Sequence, residues 1–243
     1  MTLFKKIILI SVIILLTPSF VSSKVFLVSV GITDYPGTSM DLTLPAKDAQ
    51  KISWIYRKNS NVQCRQLLNS DATKKNIIAA MDNLFSKAAA NDIVVLFYSG
   101  HGYPGGFCAY DGNLNYNAIR KAMARSKCKN KMIFADACFS GKIRTGGSSS
   151  QSEIAAAKKA NVMLFLSSRS NETSLENRRM ENGFFTTYLE KGLRGAADTN
   201  KNRIITAKEL FKYVHKNVVK LSKGKQHPVM WGKFSDNMPV ISW

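Results

Sequence analysis

Two side chains whose types suit nucleophilic catalysis follow two short apolar stretches. His101 comes just after the apolar run 93–98, and Cys138 comes just after the apolar run 131–135. A free thiol is only a few per cent ionised near neutral pH, and a nearby imidazole activates it by accepting its proton or by stabilising the thiolate. The two residues therefore predict a cysteine nucleophile with a histidine partner.

The apolar stretches must bring this pair together. Both are short, continuous and rich in Val, Ile and Phe, which is typical of strands buried on both faces of a parallel sheet. Chemistry in an open parallel sheet lies beyond the carboxyl ends of the strands, so neighbouring strands would place His101 beside Cys138. The N–H of Gly102, a residue without Cβ, and the N–H of Cys138 itself are the expected donors to an oxyanion.

The residues around the pair resemble a known family. The motifs YSGHG at 98–102 and DACFSG at 136–141 are similar to the His and Cys motifs of the caspase-like cysteine peptidases, closest to the metacaspase and bacterial caspase-like branch. The resemblance implies an α/β fold, a three-layer sandwich whose mostly parallel central sheet has helices on both faces. It also implies a cysteine-type endopeptidase, a hydrolase with a His-Cys dyad.

The same resemblance indicates the substrate-binding residues. The metacaspase-like branch has Asp at the position of Asp136, where caspases have Gln, and it cleaves after Arg or Lys. A second Asp, at the position of Asp48, helps to line its specificity pocket. Two carboxylates would bind a guanidinium strongly, which predicts a basic P1 residue, the residue before the cleaved bond. From the residues alone, Asp136 also suits a strand-end cap and Asp48 a helix N-terminal carboxylate.

A Gly/Ser-rich stretch, 142–152, follows the second motif. Such a composition is typical of an exposed loop where proteolytic nicking concentrates. The stretch stands at the place of the linker that many caspase-like enzymes cut in themselves. Lys142 and Arg144 match the expected basic P1 residue, so self-cleavage after either is a hypothesis.

The start of the chain predicts a signal peptide, 1–23, before a peptidase domain, 24–243. A positively charged beginning, a ten-residue apolar core at 7–16 and small residues before Lys24 are typical of an export signal. The apolar core is shorter than the roughly 20 residues that a membrane span needs. We therefore expect a secreted or periplasmic protein, with an uncleaved membrane anchor as the alternative.

The charge of the chain is strongly positive. Its 35 basic and 16 acidic residues give a net charge of +19, and removal of the two lysines in 1–23 leaves 33 basic residues and a net charge of +17. Such a field favours contact with anionic surfaces, although a solvated basic surface is the preferred interpretation. Because no basic cluster interleaves with aromatic residues in a recognised motif, no specific nucleic acid is expected. The expected partners are peptide or protein substrates with a basic P1 residue.

The expected chemistry requires no cofactor. The segment 198–209 has oxygen-bearing side chains at several positions of a calcium-loop template, but Arg203 stands where the sharp turn requires Gly. The candidate metal ligands are Asp198, Asn200, Asn202 and Glu209. A polar turn that caps the following helix through Thr206 and Glu209 is the preferred interpretation. Some members of the resembled branch need calcium, so calcium as an activator stays open.

The remaining cysteines leave one question open. If Cys138 stays reduced, Cys64, Cys108 and Cys128 can form at most one disulfide, and a pair between Cys108 and Cys128 is conceivable. Their spacing does not match a structural zinc site.

Two alternatives compete with this function. A catalytically silent caspase-like protein would serve as a binding or scaffold protein and would need no thiolate. An active enzyme with a legumain-like or clostripain-like preference would retain the dyad and select a different P1 residue.

Overall fold

The structure, a computed structural model, describes residues 23–59, 61–103, 105–137, 162–168 and 183–243. In chain order its elements are β1 (Val25–Gly31), a 3-10 turn (Thr38–Met40), α1 (Pro45–Asn59), β2 (Val62–Leu68), α2 (Lys74–Phe85), β3 (Ile93–Ser99), β4 (Gly102–Tyr103), β5 (Gly106–Ala109), β6 (Gly112–Asn115), α3 (Tyr116–Arg125), β7 (Asn130–Asp136), β8 (Val162–Leu166), α4 (Phe184–Lys191), β9 (Ile204–Thr206), α5 (Ala207–Leu221), β10 (Val229–Trp231) and β11 (Pro239–Ser242).

Six of the described strands form the central sheet in the order β10-β8-β7-β3-β1-β2. All neighbours pair in parallel except β10, which runs antiparallel to β8. The inner strands β1 and β3 are buried along their whole length, whereas the edge strand β2 is largely half-exposed. Continuous apolar sequence in β1 and β3 is therefore explained by burial on both faces.

Helices cover both faces of this sheet. Alternate residues of β1 point to opposite sides, so Phe26, Val28 and Val30 pack with α2 and α3, while Val25 and Leu27 pack with α1, α4 and α5. Each helix contributes an apolar stripe to its layer. The α/β three-layer sandwich with a mostly parallel central sheet is thus confirmed.

A small second sheet lies between the two motif strands. It is antiparallel and three-stranded, with the order β4-β5-β6. A further two-stranded sheet, β9-β11, was not predicted. Its strands are only three and four residues long and lie far apart in the chain, so no local period reveals them.

The three described cysteines, Cys64, Cys108 and Cys128, are free, so the conceivable pair of Cys108 with Cys128 is not formed. The Cys128 thiol donates instead to the carbonyl oxygen of Asp92 at 2.8 Å. Among the described residues, no helix combines the length and the apolar character that crossing a membrane demands.

Candidate active site

The strands that carry the two motifs are neighbours. β3 and β7 pair in parallel, and their register aligns Ser99 with Asp136. The Gly100 N–H donates a hydrogen bond to the Asp136 carbonyl oxygen at 3.2 Å, which extends the contact past the end of β3. His101 and Cys138 each follow this aligned pair by two residues. The strand arrangement expected from the sequence is therefore present at this edge of the sheet.

Several predicted residues lie outside the described residues. These are Cys138, the self-cleavage candidates Lys142 and Arg144, and positions 1–22 of the predicted signal peptide. Their roles stay predictions.

The His101 imidazole contacts the 3-10 turn that follows β1. Its Nε2 lies 2.8 Å from the carbonyl oxygen of Met40. A carbonyl oxygen can only accept a hydrogen bond, so Nε2 must carry a proton in this arrangement. Nδ1 is then the ring nitrogen that can accept a proton, as a general base must.

Two buried tyrosine hydroxyls hold the backbone of His101. The Tyr35 hydroxyl accepts the His101 N–H at 2.9 Å. The Tyr98 hydroxyl lies 2.7 Å from the His101 carbonyl oxygen and 2.8 Å from that of Cys108, and it shares its single proton between them. The Tyr35 and His101 rings also contact each other, with centroids 5.0 Å apart. Both polar groups of the His101 main chain are therefore fixed by side chains.

Burial keeps these hydroxyls protonated. Desolvation raises the pKa of Tyr35 to about 12, and it raises the pKa of Tyr98 well above its usual range. The two groups are hydrogen-bond donors and acceptors at any pH at which a peptidase works, and they are not proton carriers.

Gly100 explains why the histidine motif needs glycine. Its φ of +152° lies in a region that favours glycine, and a Cβ atom at this position would lie 2.7 Å from the hydroxyl oxygens of both Tyr35 and Tyr98. A larger residue would displace the two groups that hold His101.

Asp48 lies beneath the same edge of the sheet. It belongs to the first turn of α1 and is 1% exposed. Its Oδ2 accepts a hydrogen bond from the Ser99 hydroxyl at 2.8 Å. Ser99 is also aligned with Asp136 on the adjacent strand, about 4.8 Å away, so both predicted pocket residues are neighbours of one serine.

Asp136 caps a helix. Its Oδ2 accepts hydrogen bonds from the Thr186 hydroxyl at 2.9 Å and from the Thr186 N–H at 3.2 Å, in the first turn of α4. A Cβ atom on Gly183 would lie 2.7 Å from this oxygen, so the glycine permits the close approach. The sequence left open a strand-end cap for Asp136, and the structure instead shows this carboxylate capping helix α4. Asp136 as a whole is 7% exposed.

Gly102, the predicted oxyanion donor, begins β4 and pairs with Phe107 of β5. It is half-buried. Its catalytic role stays a prediction.

The segment 198–209 forms the helix cap that the sequence favours. Thr206 and Glu209 make a reciprocal capping box at the start of α5. The candidate ligands Asp198, Asn200 and Asn202 accept hydrogen bonds from main-chain N–H groups of the same turn. Within the described ranges, no three His, Cys, Asp or Glu side chains are grouped so that they could hold a metal ion.

Sequence reasoning missed four residues of this site: Tyr35, Met40, Tyr98 and Ser99. Tyr98 and Ser99 stand inside the motif YSGHG, so their proximity to His101 was a usable signal. Tyr35 comes from a distant turn, and Met40 contributes a main-chain carbonyl group, which every residue has. The residue type at these two positions therefore does not indicate a contact with His101.

Comparison with known proteins identifies the fold and the family of this chain. The family model described as the caspase domain of C14 peptidases matches residues 25–238. The solved structure of protein GSU0716 from Geobacter sulfurreducens superimposes with a TM-score of 0.63 at 18% identity, over 86% of this chain and 94% of that chain, which is a likeness of fold. No curated protein matches the sequence. Because the family model spans most of the chain, the protein belongs to the caspase-domain family of C14-type peptidases.

Proposed function

We propose that this protein is a cysteine endopeptidase in which Cys138 and His101 form the dyad. The observation that carries the proposal is the alignment of Ser99 with Asp136, two residues before His101 and Cys138 respectively, on adjacent parallel strands. Chemistry in such sheets occurs beyond this edge. The hydrogen bond from Nε2 to Met40 supports the role of His101, because it leaves Nδ1 to accept a proton.

In the proposed reaction, the imidazole takes the proton of the Cys138 thiol, and the thiolate attacks the peptide carbonyl carbon. The N–H groups of Gly102 and Cys138 stabilise the oxyanion that develops. The imidazolium of His101 then gives its proton to the leaving amine. Water, deprotonated by the same imidazole, hydrolyses the thioester and releases the thiol.

We propose that the enzyme cleaves after Arg or Lys in peptide or protein substrates. Asp48 and Asp136 are both neighbours of Ser99, which ends the strand that leads to His101. The guanidinium or ammonium group of a P1 side chain would donate to these carboxylates in place of part of their present hydrogen bonding, which comes from Ser99 and Thr186. The cap that Asp136 provides for α4 limits how far its side chain can turn toward a substrate.

Export and self-processing belong to the same proposal. A mature chain that begins at Lys24 in the extracellular or periplasmic fraction would support the signal peptide, and a chain that retains residues 1–23 in a membrane fraction would contradict it. Fragments that end at Lys142 or Arg144, absent from Cys138→Ala, would support cleavage by the enzyme itself.

No cofactor takes part in the proposed chemistry, and calcium is proposed only as an activator. The capping box of Thr206 and Glu209 holds its turn through protein hydrogen bonds. Peptidase assays with added calcium and with a chelator test whether calcium activates the enzyme.

The deciding experiment is hydrolysis of fluorogenic peptides with Arg, Lys, Asp or Asn at P1. Wild type should cleave the Arg and Lys peptides, and Cys138→Ala should lose activity by several orders of magnitude. Cleavage after Asn would favour the legumain-like alternative, and cleavage after Arg alone the clostripain-like one. No turnover of any peptide by a folded wild type, with or without calcium, would favour the silent binding protein.

A further inference from the structure

The helix layer formed by α1, α4 and α5 has an unusual distribution of charge. α4 packs on both α1 and α5, so the three helices lie side by side over one face of the sheet. Their outer surface and the turn Gly192–Ala196, which follows α4, together form the basic face.

The acidic residues of these three helices all form hydrogen bonds within the protein. They are Asp48, Glu190 and Glu209. Asp48 is buried against Ser99. Glu190 is 8% exposed and accepts a hydrogen bond from Arg194 at 3.2 Å, and Glu209 closes the capping box of α5. The carboxylates on these helices therefore leave the outer surface almost entirely to cations.

Basic side chains fill the outer surface. The exposed cations are Lys47, Arg57, Lys58, Lys191, Arg194, Lys208, Lys212, Lys216 and Lys220. Four of the lysines on α5 follow one another at intervals of four residues, which places them along one side of the helix. Lys208 pairs with Asp236 at 2.8 Å and Arg194 with Glu190. The remaining cations are exposed and are distributed over all three helices.

Aromatic rings lie among these cations. Trp54 is 48% exposed on α1, with Lys58 Nζ 5.5 Å and the Arg194 guanidinium 5.7 Å from its ring centroid. On α4 the ring of half-buried Tyr188 contacts Lys191 Nζ at 5.1 Å. Trp and Tyr combine an apolar body with a polar tip, and they are enriched where protein meets the headgroup region of a membrane.

We propose that the basic face docks on an anionic lipid surface. Cations spread over three adjacent helices cover two dimensions, which matches a planar array of headgroups better than the single line of phosphates along a nucleic acid strand. Trp54 lies within this array, where its exposed ring can enter the interface. The edge that carries His101 lies at the carboxyl ends of the strands, whereas the three helices cover one face of the sheet. The proposal does not depend on the proposed peptidase activity.

The test compares three full-length proteins that share residues 1–23, so that the apolar segment contributes equally to all. The face variant carries Lys212→Gln, Lys216→Gln and Lys220→Gln. The control variant carries Lys75→Gln, Lys121→Gln and Lys127→Gln, exposed lysines associated with the opposite layer of α2 and α3. Both variants lose three positive charges, so they differ in the location of the change alone.

Binding is measured by co-sedimentation with phosphatidylcholine vesicles that contain about 30 mol% phosphatidylglycerol, at about 0.1 M salt. Each lysine close to the surface contributes about fivefold in affinity, so the face variant should bind about a hundredfold more weakly than wild type. The control variant should lose less than about threefold, because salt screens its distant charges. The emission of Trp54 should shift to the blue on binding, and Trp54→Phe should remove that shift.

Three results would overturn the proposal. Equal losses for the face and control variants would show that only net charge matters. Equal binding to vesicles of phosphatidylcholine alone would remove the electrostatic basis. Tighter binding to a single-stranded oligonucleotide than to the anionic vesicles, lost in the face variant, would assign the basic face to nucleic acid instead.

Discussion

The substitution Tyr35→Phe tests whether the tyrosine hydroxyls position His101. The change removes only the hydroxyl, and the ring can keep its contact with the imidazole. The His101 N–H loses its acceptor at 2.9 Å, while the weaker contacts of the hydroxyl with Tyr98 and Cys108 are 3.4 and 3.3 Å long. A buried donor left without a partner costs about 1–3 kcal/mol.

Part of that free energy should appear in the reaction barrier. If about 1.4 kcal/mol of it is lost from the placement of the imidazole, kcat falls about tenfold. KM for an Arg peptide should change little, because Tyr35 contacts His101 and not Asp48, the residue proposed to bind the P1 side chain. The measurement is a kcat and KM determination with a fluorogenic Arg peptide, together with Tm.

Tyr56→Phe is the matched control. The Tyr56 hydroxyl is also buried and donates to a carbonyl oxygen, that of Val240 at 3.4 Å, and it lies two turns along α1 from Asp48. This variant should lose stability and retain kcat. If Tyr35→Phe also retains wild-type kcat while its Tm falls, the hydroxyl stabilises the fold without positioning the histidine, and the reasoning is wrong.

Three further predictions follow from the site and its surroundings. Asp48→Asn should lower kcat/KM for the hydrolysis of Arg peptides by about 10- to 100-fold, because a neutral amide cannot form an ion pair with a guanidinium. Unchanged selectivity for Arg at P1 would exclude Asp48 from the proposed P1 pocket. Thr186→Val should lower the free energy of unfolding by about 1 kcal/mol, read by urea titration, because it removes one donor to Asp136; an unchanged midpoint would contradict the cap. Burial raises the pKa of Tyr35 from 10.0 to about 12, so between these pH values the unfolded chain loses this proton while the folded chain keeps it. Stability should therefore fall as pH rises through that window. The difference in absorbance between the folded wild type and Tyr35→Phe should show Tyr35 ionising late, and a difference that appears near pH 10 would contradict this prediction.

The central sheet could be predicted from residue types because its strands are locally determined. The apolar runs 93–98 and 131–135 fall within β3 (Ile93–Ser99) and β7 (Asn130–Asp136), and α1 begins at Pro45, where a fixed φ suits the first helical turn. The capping box at Thr206 likewise depends on residues three apart. In each case the signal lies within a few residues of the feature that it determines.

Contacts between distant parts of the chain were not predictable in the same way. Tyr35 and Tyr98 are 63 residues apart, and nothing in the turn that contains Tyr35 indicates that its hydroxyl accepts the His101 N–H. Met40 acts through a main-chain oxygen, so its side chain carries no information. The use of Asp136 as a cap for α4 depends on a helix 50 residues away. These features arise from packing, which residue types alone constrain weakly.

The most direct test of the dyad is the rate at which an Arg-bearing chloromethyl ketone alkylates Cys138, compared between wild type and His101→Gln. Mass spectrometry identifies the labelled residue, with Cys64, Cys108 and Cys128 as internal references. We expect labelling at Cys138 and a rate near neutral pH that falls by about a hundredfold in the variant, because its thiol would no longer have an imidazole to accept the proton. Equal rates in the two proteins, or labelling of another cysteine in preference, would contradict the dyad.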